Sequence, residues 1–221
     1  MTWVLLDYGG VMCHPPSETD LDLLAAVARC SRQEFTDAYW PGRLDYDLGD
    51  LDAAGYWQKV ASALGRTFTG ADVGELVRLD ISSWLHLQAD MVTLIEQVAA
   101  AGHRLALLSN APAELAAAVT ALPVAAHFEQ MAFSCFLRSA KPDPACYQAV
   151  LGMLGAAAGE VVFLDDRPEN VAAAAGLGIR GVQVTSPGAA RAGLVAHGVL
   201  AAWSPLRAAP SQSCSGLSPQ E

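Results

Sequence analysis

Positive charge is scarce in this sequence. Its 221 residues hold 13 Lys and Arg against 23 Asp and Glu, a formal net charge of −10, and only Lys59 and Lys141 are lysines. A surface with that balance repels polyanions, which argues against nucleic acid and anionic membrane as partners. Cysteine pairing is also lacking: Cys13, Cys30, Cys135, Cys146 and Cys214 are scattered, with no CxxC. An odd, unpatterned set reads as free thiols in a reducing compartment. No apolar run reaches membrane-spanning length, and the opening MTWVLLDYGG lacks a basic region and meets an acid at Asp7. Neither a transmembrane helix nor a signal peptide is expected. The expectation is a soluble cytoplasmic protein, monomer or homodimer.

What is abundant is core-forming material: 52% of residues are hydrophobic and 16% charged, which excludes a disordered chain. Trp3–Leu6 is an apolar run ended by Asp7 and Gly9-Gly10, the pattern of a buried strand meeting a polar turn. Helical spacing follows at Leu21, Leu24 and Val27. From 34 to 86 the chain reads as helices interrupted at Pro41-Gly42, at Gly49 and between Gly65 and Gly70. Met91, Leu94, Ile95 and Val98 restore a clear helical period, with Gly102 as its stop. Strand and helix then alternate. Strands are expected at 105–108, 131–134, 161–164 and 181–185, and helices after Pro112, Pro144 and Pro168 and over 188–197. Such alternation predicts an α/β fold, a doubly wound parallel sheet. The stretch 14–88 carries no strand and is too long for a simple crossover, so it predicts an inserted α-helical subdomain. The sheet domain would comprise 1–13 and 89–207, and the Ser/Pro-rich 208–221 a disordered tail.

The polar residues of the sheet domain follow its strands directly: Asp7, Ser109-Asn110 and Asp165-Asp166. In an open parallel sheet the strand C-termini share one edge, where ligands bind. Lys141, in SAKPDP ahead of a helix, is placed to join them. Carboxylates supply hard oxygen ligands suited to Mg²⁺. A Ser hydroxyl, helix-start amides and a Lys ammonium hold phosphate oxygens. A carboxylate can also attack phosphorus, so the set is a phosphoryl-transfer kit.

The order Asp, Ser, Lys, Asp-Asp differs from that of receiver domains, where the acid pair comes first and Lys last. With VLLDYGGVM, LLSN, AKPDP and VFLDD in sequence, the chain resembles the haloacid dehalogenase superfamily over residues 1 to about 200, in the branch with a helical cap after the first strand. YWPGRLDYDLGDLDAAGYWQKVASALG is also similar to cap segments of the bacterial α-glucose-1-phosphate phosphatase type, which shares the glycine two residues after the nucleophile. The resemblance implies a Rossmann-like core and a Mg²⁺-dependent phosphatase of small phosphorylated metabolites. Asp7 would be nucleophile and metal ligand and Lys141 catalytic and phosphate-binding. Ser109 and Asn110 would bind phosphate, and Gly9 (through its carbonyl), Asp165 and Asp166 the metal. Asp166 is implied as the direct metal ligand, although the residues themselves do not split the pair.

Arg43, Tyr46, Asp47, Tyr56 and Trp57 fall where a cap would face substrate, and Arg43, Tyr46, Asp47 and Trp57 are the candidate specificity residues. The alternative is that the aromatics form the cap core. Asn170 reads as a polar position in the first turn of a helix, the alternative being a support behind the metal ligands, and His14 reads as an exposed linker residue. Gly9 departs from the phosphatase pattern, which has an acid there to protonate the leaving group. Two other functions stay open: an impaired family member that only binds a phosphorylated metabolite, and a 2-haloacid dehalogenase. Dehalogenases carry Tyr at the place of Gly9 and lack the acid pair.

Overall fold

A computed structural model describes residues 1–202; the expected tail at 208–221 lies outside the described residues. Five strands form one parallel sheet: β1 (Trp3–Leu6), β2 (Arg104–Ser109), β3 (Gln130–Phe133), β4 (Val161–Asp165) and β5 (Arg180–Gln183), in the order β3-β2-β1-β4-β5. Strand order reverses around β1, which pairs with both β2 and β4. Central parallel strands are buried on both faces, so the continuous apolar runs WVLL and VVFL suit them better than alternating ones. Side chains nonetheless divide by parity. Val4 and Leu6 join one buried cluster with α6 (Ala89–Ala100), α7 (Ala113–Thr120) and α11 (Pro187–Ala196). Trp3 and Leu5 join another with α9 (Pro144–Leu154) and α10 (Pro168–Gly176). Helices therefore cover both faces, as the alternation predicted.

Between β1 and α6 stand five helices with their own core: α1 (Glu18–Ala28), α2 (Arg32–Tyr39), α3 (Arg43–Asp47), α4 (Ala53–Ala63) and α5 (Gly70–Ser83). The starts of α1, α2, α4 and α5 are set by short polar side chains. Ser17 with Asp20, Ser31 with Glu34, and Thr69 with Asp72 form reciprocal capping boxes, and Asp52 accepts from the Gly55 amide. Each satisfies helix-end amides that would otherwise lack partners. The breaks expected at Pro41-Gly42, Gly49 and Gly65–Gly70 all fall between these helices.

Two linkers join this cap to the sheet domain and run side by side. His14 N–H donates to the His86 carbonyl at 2.9 Å, Gln88 N–H to Met12 at 2.9 Å, and the Gln88 side-chain amide to Val11 at 3.0 Å. At the other end of the cap, the Tyr46 hydroxyl donates to Glu114 on α7 at 2.9 Å. Ser134 Oγ donates to the Asp47 carbonyl, and Arg138 pairs with Asp50. Ser134 and Arg138 belong to and follow a short helix, α8 (Ser134–Leu137), which the sequence pattern did not indicate. Among the described residues, no helix is long and apolar enough to cross a membrane.

Candidate active site

The C-terminal ends of β1, β2 and β4 open into a cavity of about 510 Å³ between sheet and cap. Asp7 follows β1 directly and is 7% exposed. Its Oδ1 accepts from the Tyr8 amide at 2.6 Å and lies 2.6 Å from Lys141 Nζ. Lys141 Nζ also donates to Asp165 Oδ2 at 2.8 Å, so one buried ammonium bridges two carboxylates. Burial pushes the Asp7 carboxyl up, to about 7, with Lys141 opposing and Asp165 adding to the rise. Burial alone would lower Lys141, but Asp7 and Asp165 together hold its ammonium above the usual lysine range.

The acid pair is divided by geometry. Asp165 is fully buried, and its oxygens also accept from the Arg167 amide at 2.9 Å and the Asn170 side-chain amide at 2.9 Å. Asp166 is half-buried and lines the cavity. Asp165 thus anchors Lys141 from behind, while Asp166 presents its carboxylate to the open side. Burial, and after it Asp165, raises the Asp166 carboxyl above the usual range. Gly10 makes that approach possible. It has φ +76°, and a Cβ there would stand 2.6 Å from Asp166 Oδ2, so only glycine suits the turn.

Three carboxylates, from Asp7, Asp165 and Asp166, each offer an oxygen within 4.8 Å of the others. An all-oxygen set with like charges crowded together suits a hard divalent cation such as Mg²⁺, which would relieve their repulsion. Asp7 and Asp166 are the side chains that would hold it from the cavity side, and Gly9 lines the same space.

Several expectations from the sequence change here. Ser109 lies buried at the end of β2 and lines the cavity together with Asn110. The Asn110 side-chain amide also clamps the Lys141 backbone, donating to its carbonyl and accepting from its N–H, both at 2.9 Å. Neither Ser109 nor Asn110 caps α7, whose N-cap is Pro112 with no side-chain bond. Asn170 does lie in the first turn of α10, where it is buried and donates to Asp165. His14 is exposed in the linker.

In the cap, Tyr46 and Trp57 do not line the cavity. Trp57 is fully buried among Phe35, Tyr39 and Tyr56, and Tyr46 stacks on Tyr56 at 4.6 Å. These rings fill the cap core, the only place five helices without a sheet can hide so much aromatic area. Arg43 and Asp47 do line the cavity, yet Arg43 is spent internally. Its guanidinium pairs with Asp47 and Asp80, both at 2.9 Å, and donates to the Tyr39 hydroxyl. Burial pushes the Asp47 carboxyl up against the opposing pull of Arg43. The cap residues that sequence reasoning missed are Trp40, Leu44 and Trp84, which line the cavity beside Arg43 and Asp47. Trp40 and Leu44 stay 47% and 55% exposed, unusual for large apolar side chains. Their positions around a Pro-Gly break hid any helical period.

An open parallel sheet with a helical insertion after its first strand, and acids converging on a lysine at the strand ends, defines a capped Rossmann-like α/β protein with an acidic site at the sheet edge. The sequence matches the haloacid dehalogenase-like hydrolase family over residues 17–178, and the chain belongs to that family. The match includes Ser109, Lys141 and the acid pair. Asp7 lies ahead of it and is placed by the structure. Flavin mononucleotide hydrolase 1 of Arabidopsis thaliana is 30% identical over 118 residues, 53% of this chain and 46% of that protein. A phosphatase of Mycobacterium tuberculosis is 30% identical over 123 residues, 55% of this chain and 57% of that protein. The chain thus spans about half the length of these relatives. Among solved structures, a family enzyme of Bacteroides thetaiotaomicron in complex with magnesium and inorganic phosphate superposes with a TM-score of 0.70. It is 21% identical, covering 83% of this chain and 93% of that one, which shows the shared fold.

Proposed function

We propose that the protein is a Mg²⁺-dependent phosphatase of small phosphorylated metabolites, with Asp7 as nucleophile. The observation that carries this reading is the Asp7–Lys141–Asp165 bridge beside Asp166 at the ends of adjacent parallel strands. Relatives named as a flavin mononucleotide hydrolase and a phosphatase support it, as does the related fold that holds magnesium and phosphate.

An Asp7 carboxylate oxygen attacks phosphorus, and the bond from phosphorus to the ester oxygen breaks with its electron pair going to that oxygen, which leaves as an alkoxide or aryloxide and takes its proton from solvent water. Water then cleaves the aspartyl-phosphate, releasing inorganic phosphate and restoring the carboxylate. Lys141 neutralises charge on the transferring group, and Asp165 with Asn170 keeps the ammonium in place. Ser109 and nearby backbone amides hold phosphate oxygens. The bound cation would supply further charge neutralisation on the phosphoryl oxygens. Because Gly9 offers no acid, esters with acidic leaving groups, such as sugar 1-phosphates, acyl phosphates and aryl phosphates, are favoured over simple alkyl esters. General acid catalysis usually contributes about 10²–10⁴-fold.

The test is phosphate release from a panel of phosphomonoesters with Mg²⁺ and with excess EDTA. Release that depends on the metal and is lost in Asp7→Asn is expected. Metal-independent halide release from 2-haloacids would make the protein a dehalogenase instead. Binding of phosphorylated metabolites without any turnover would make it a binding protein.

A further inference from the structure

The place where an acid is missing is not empty space. A Cβ on Gly9 would stand 3.1 Å from the six-membered ring of Trp84, closer than ordinary contact. Gly9 and Trp84 therefore act as one unit: the glycine leaves room, and the indole covers the ground beside Asp7. Trp40, Leu44 and, from the sheet domain, Leu115 line the same cavity. Both indoles are braced on a single buried phenol. Trp40 meets the Tyr39 ring edge-on at 4.7 Å, and Trp84 Nε1 lies 3.5 Å from the Tyr39 hydroxyl. Tyr39 is in turn fixed by Asp80 at 2.5 Å and by Arg43. Rings held this way are pre-oriented, so a ligand that stacks on them does not have to order them.

Charge points the same way. Among the described residues, Arg43 is the one cation that the cap contributes to this cavity, and Asp47 and Asp80 already neutralise it. Arg167, which lines the cavity from the sheet domain, is paired with Glu169 at 2.5 Å, so a second anion in the organic part would meet no unpaired arginine there and would face the Asp47 carboxylate.

We propose that the substrate is a phosphomonoester whose organic part is aromatic and uncharged, packed against the indoles of Trp40 and Trp84. This inference rests on the phosphatase reading of the site and names its substrate class. It joins two independent features, since an aromatic alcohol is also an acidic leaving group that departs without the acid absent at Gly9. Tyr39, Arg43 and Asp80 are positioning residues for the two indoles.

The test separates binding from turnover in the full chain with Mg²⁺. Calorimetry compares phenylphosphonate with methylphosphonate, neither of which is hydrolysed. Phosphate release compares 2-naphthyl phosphate with glycerol 3-phosphate and phosphoglycolate. Phenylphosphonate is expected to bind about three- to tenfold more tightly, the usual range for an added aromatic pair. The naphthyl ester is expected to exceed both others in kcat/KM by at least about 10²-fold. Trp40→Ala and Trp84→Leu should each shrink the binding advantage, with KM moving more than kcat, while Trp84→Phe retains it. Equal binding of the two phosphonates overturns the proposal even if phosphate is released. So does an advantage that survives in the Trp40→Ala/Trp84→Leu double variant. A binding preference with no release from any ester supports the aromatic site and overturns the hydrolase reading alone. Neither binding nor release overturns both.

Discussion

The sheet domain and the cap use their polar residues in opposite ways. In the sheet domain, strand ends deliver Asp7, Ser109 and Asp166 to a cavity wall, and buried partners such as Asp165 and Asn170 hold Lys141 toward it. In the cap, Arg43, Asp80, Tyr39 and Tyr56 turn inward, and the residues left facing the cavity are mainly apolar. The difference follows from architecture. A parallel sheet places successive strand ends along one edge whatever the side chains are. A small helical bundle has no such edge, and its polar groups are exposed at random or paired inside. Chemistry is therefore written at fixed topological positions in one region, and recognition is carried by packing in the other.

The largest expected effect belongs to the sheet domain. Asp7→Asn should lower turnover by at least about 10³-fold, as loss of a nucleophile does, with the circular-dichroism spectrum unchanged. Retention of most of the activity would erase the division of labour, because the chemistry would then lie elsewhere.

Stability of the cap comes next. Trp57→Ala empties the centre of its core and should cost about 3–5 kcal/mol in urea denaturation. Arg43→Met leaves Asp80 buried without its cation, with a cost of similar size, about 3–5 kcal/mol. Leu44→Ala, on the exposed rim, should stay within about 0.5 kcal/mol of the parent. If Trp57→Ala left stability intact while reordering substrates, Trp57 would be a recognition residue after all.

A smaller effect is expected where the regions touch. Tyr46→Phe removes the hydroxyl that donates to Glu114, at about 0.5–1.5 kcal/mol. Glu114→Gln in that background should add little. Full additivity of the two substitutions would mean that the contact does not couple cap to core.

The smallest effect distinguishes thiols. Burial pushes Cys146 up to about 11 and Cys13 up to about 12, so in the folded protein both remain protonated at pH 8. Because only the thiolate reacts, and its fraction grows as pH approaches the pKa, iodoacetamide at pH 8 should spare these two sheet-domain cysteines. Cys30 in the cap is half-buried and should be alkylated before Cys13 and Cys146. Peptide mapping after brief labelling reads the order, and early modification of Cys13 would show that the sheet domain opens more readily than the cap.

The sheet domain was the more legible region because its signals are positional. Apolar runs ending in Asp7, Ser109 and Asp165 located the strands and the cavity edge together. Strand β5 runs over 180–183 where 181–185 was expected, a shift of the kind edge strands with little burial allow. Burial was what the residues alone could not supply. Tyr46 and Trp57 have the composition of a binding surface and the environment of a core. Asn110 and Asn170 carry the right chemistry for a ligand and also serve as internal braces. Trp84 escaped notice because its relation to Gly9 spans most of the cap and leaves no local pattern.

The sheet order has a consequence for the life of the chain before it is an enzyme. Leu6, next to Asp7, pairs with Leu107 on one side and Leu164 on the other. During synthesis the first strand emerges early and must wait, with its apolar side chains unpartnered, until both neighbours have been made. The whole cap lies within that interval and can form its own core meanwhile. Contacts so distant in sequence slow folding, and waiting strands are exposed to aggregation. Asp7 is thus made before the strands that flank it and is among the last residues to find its place.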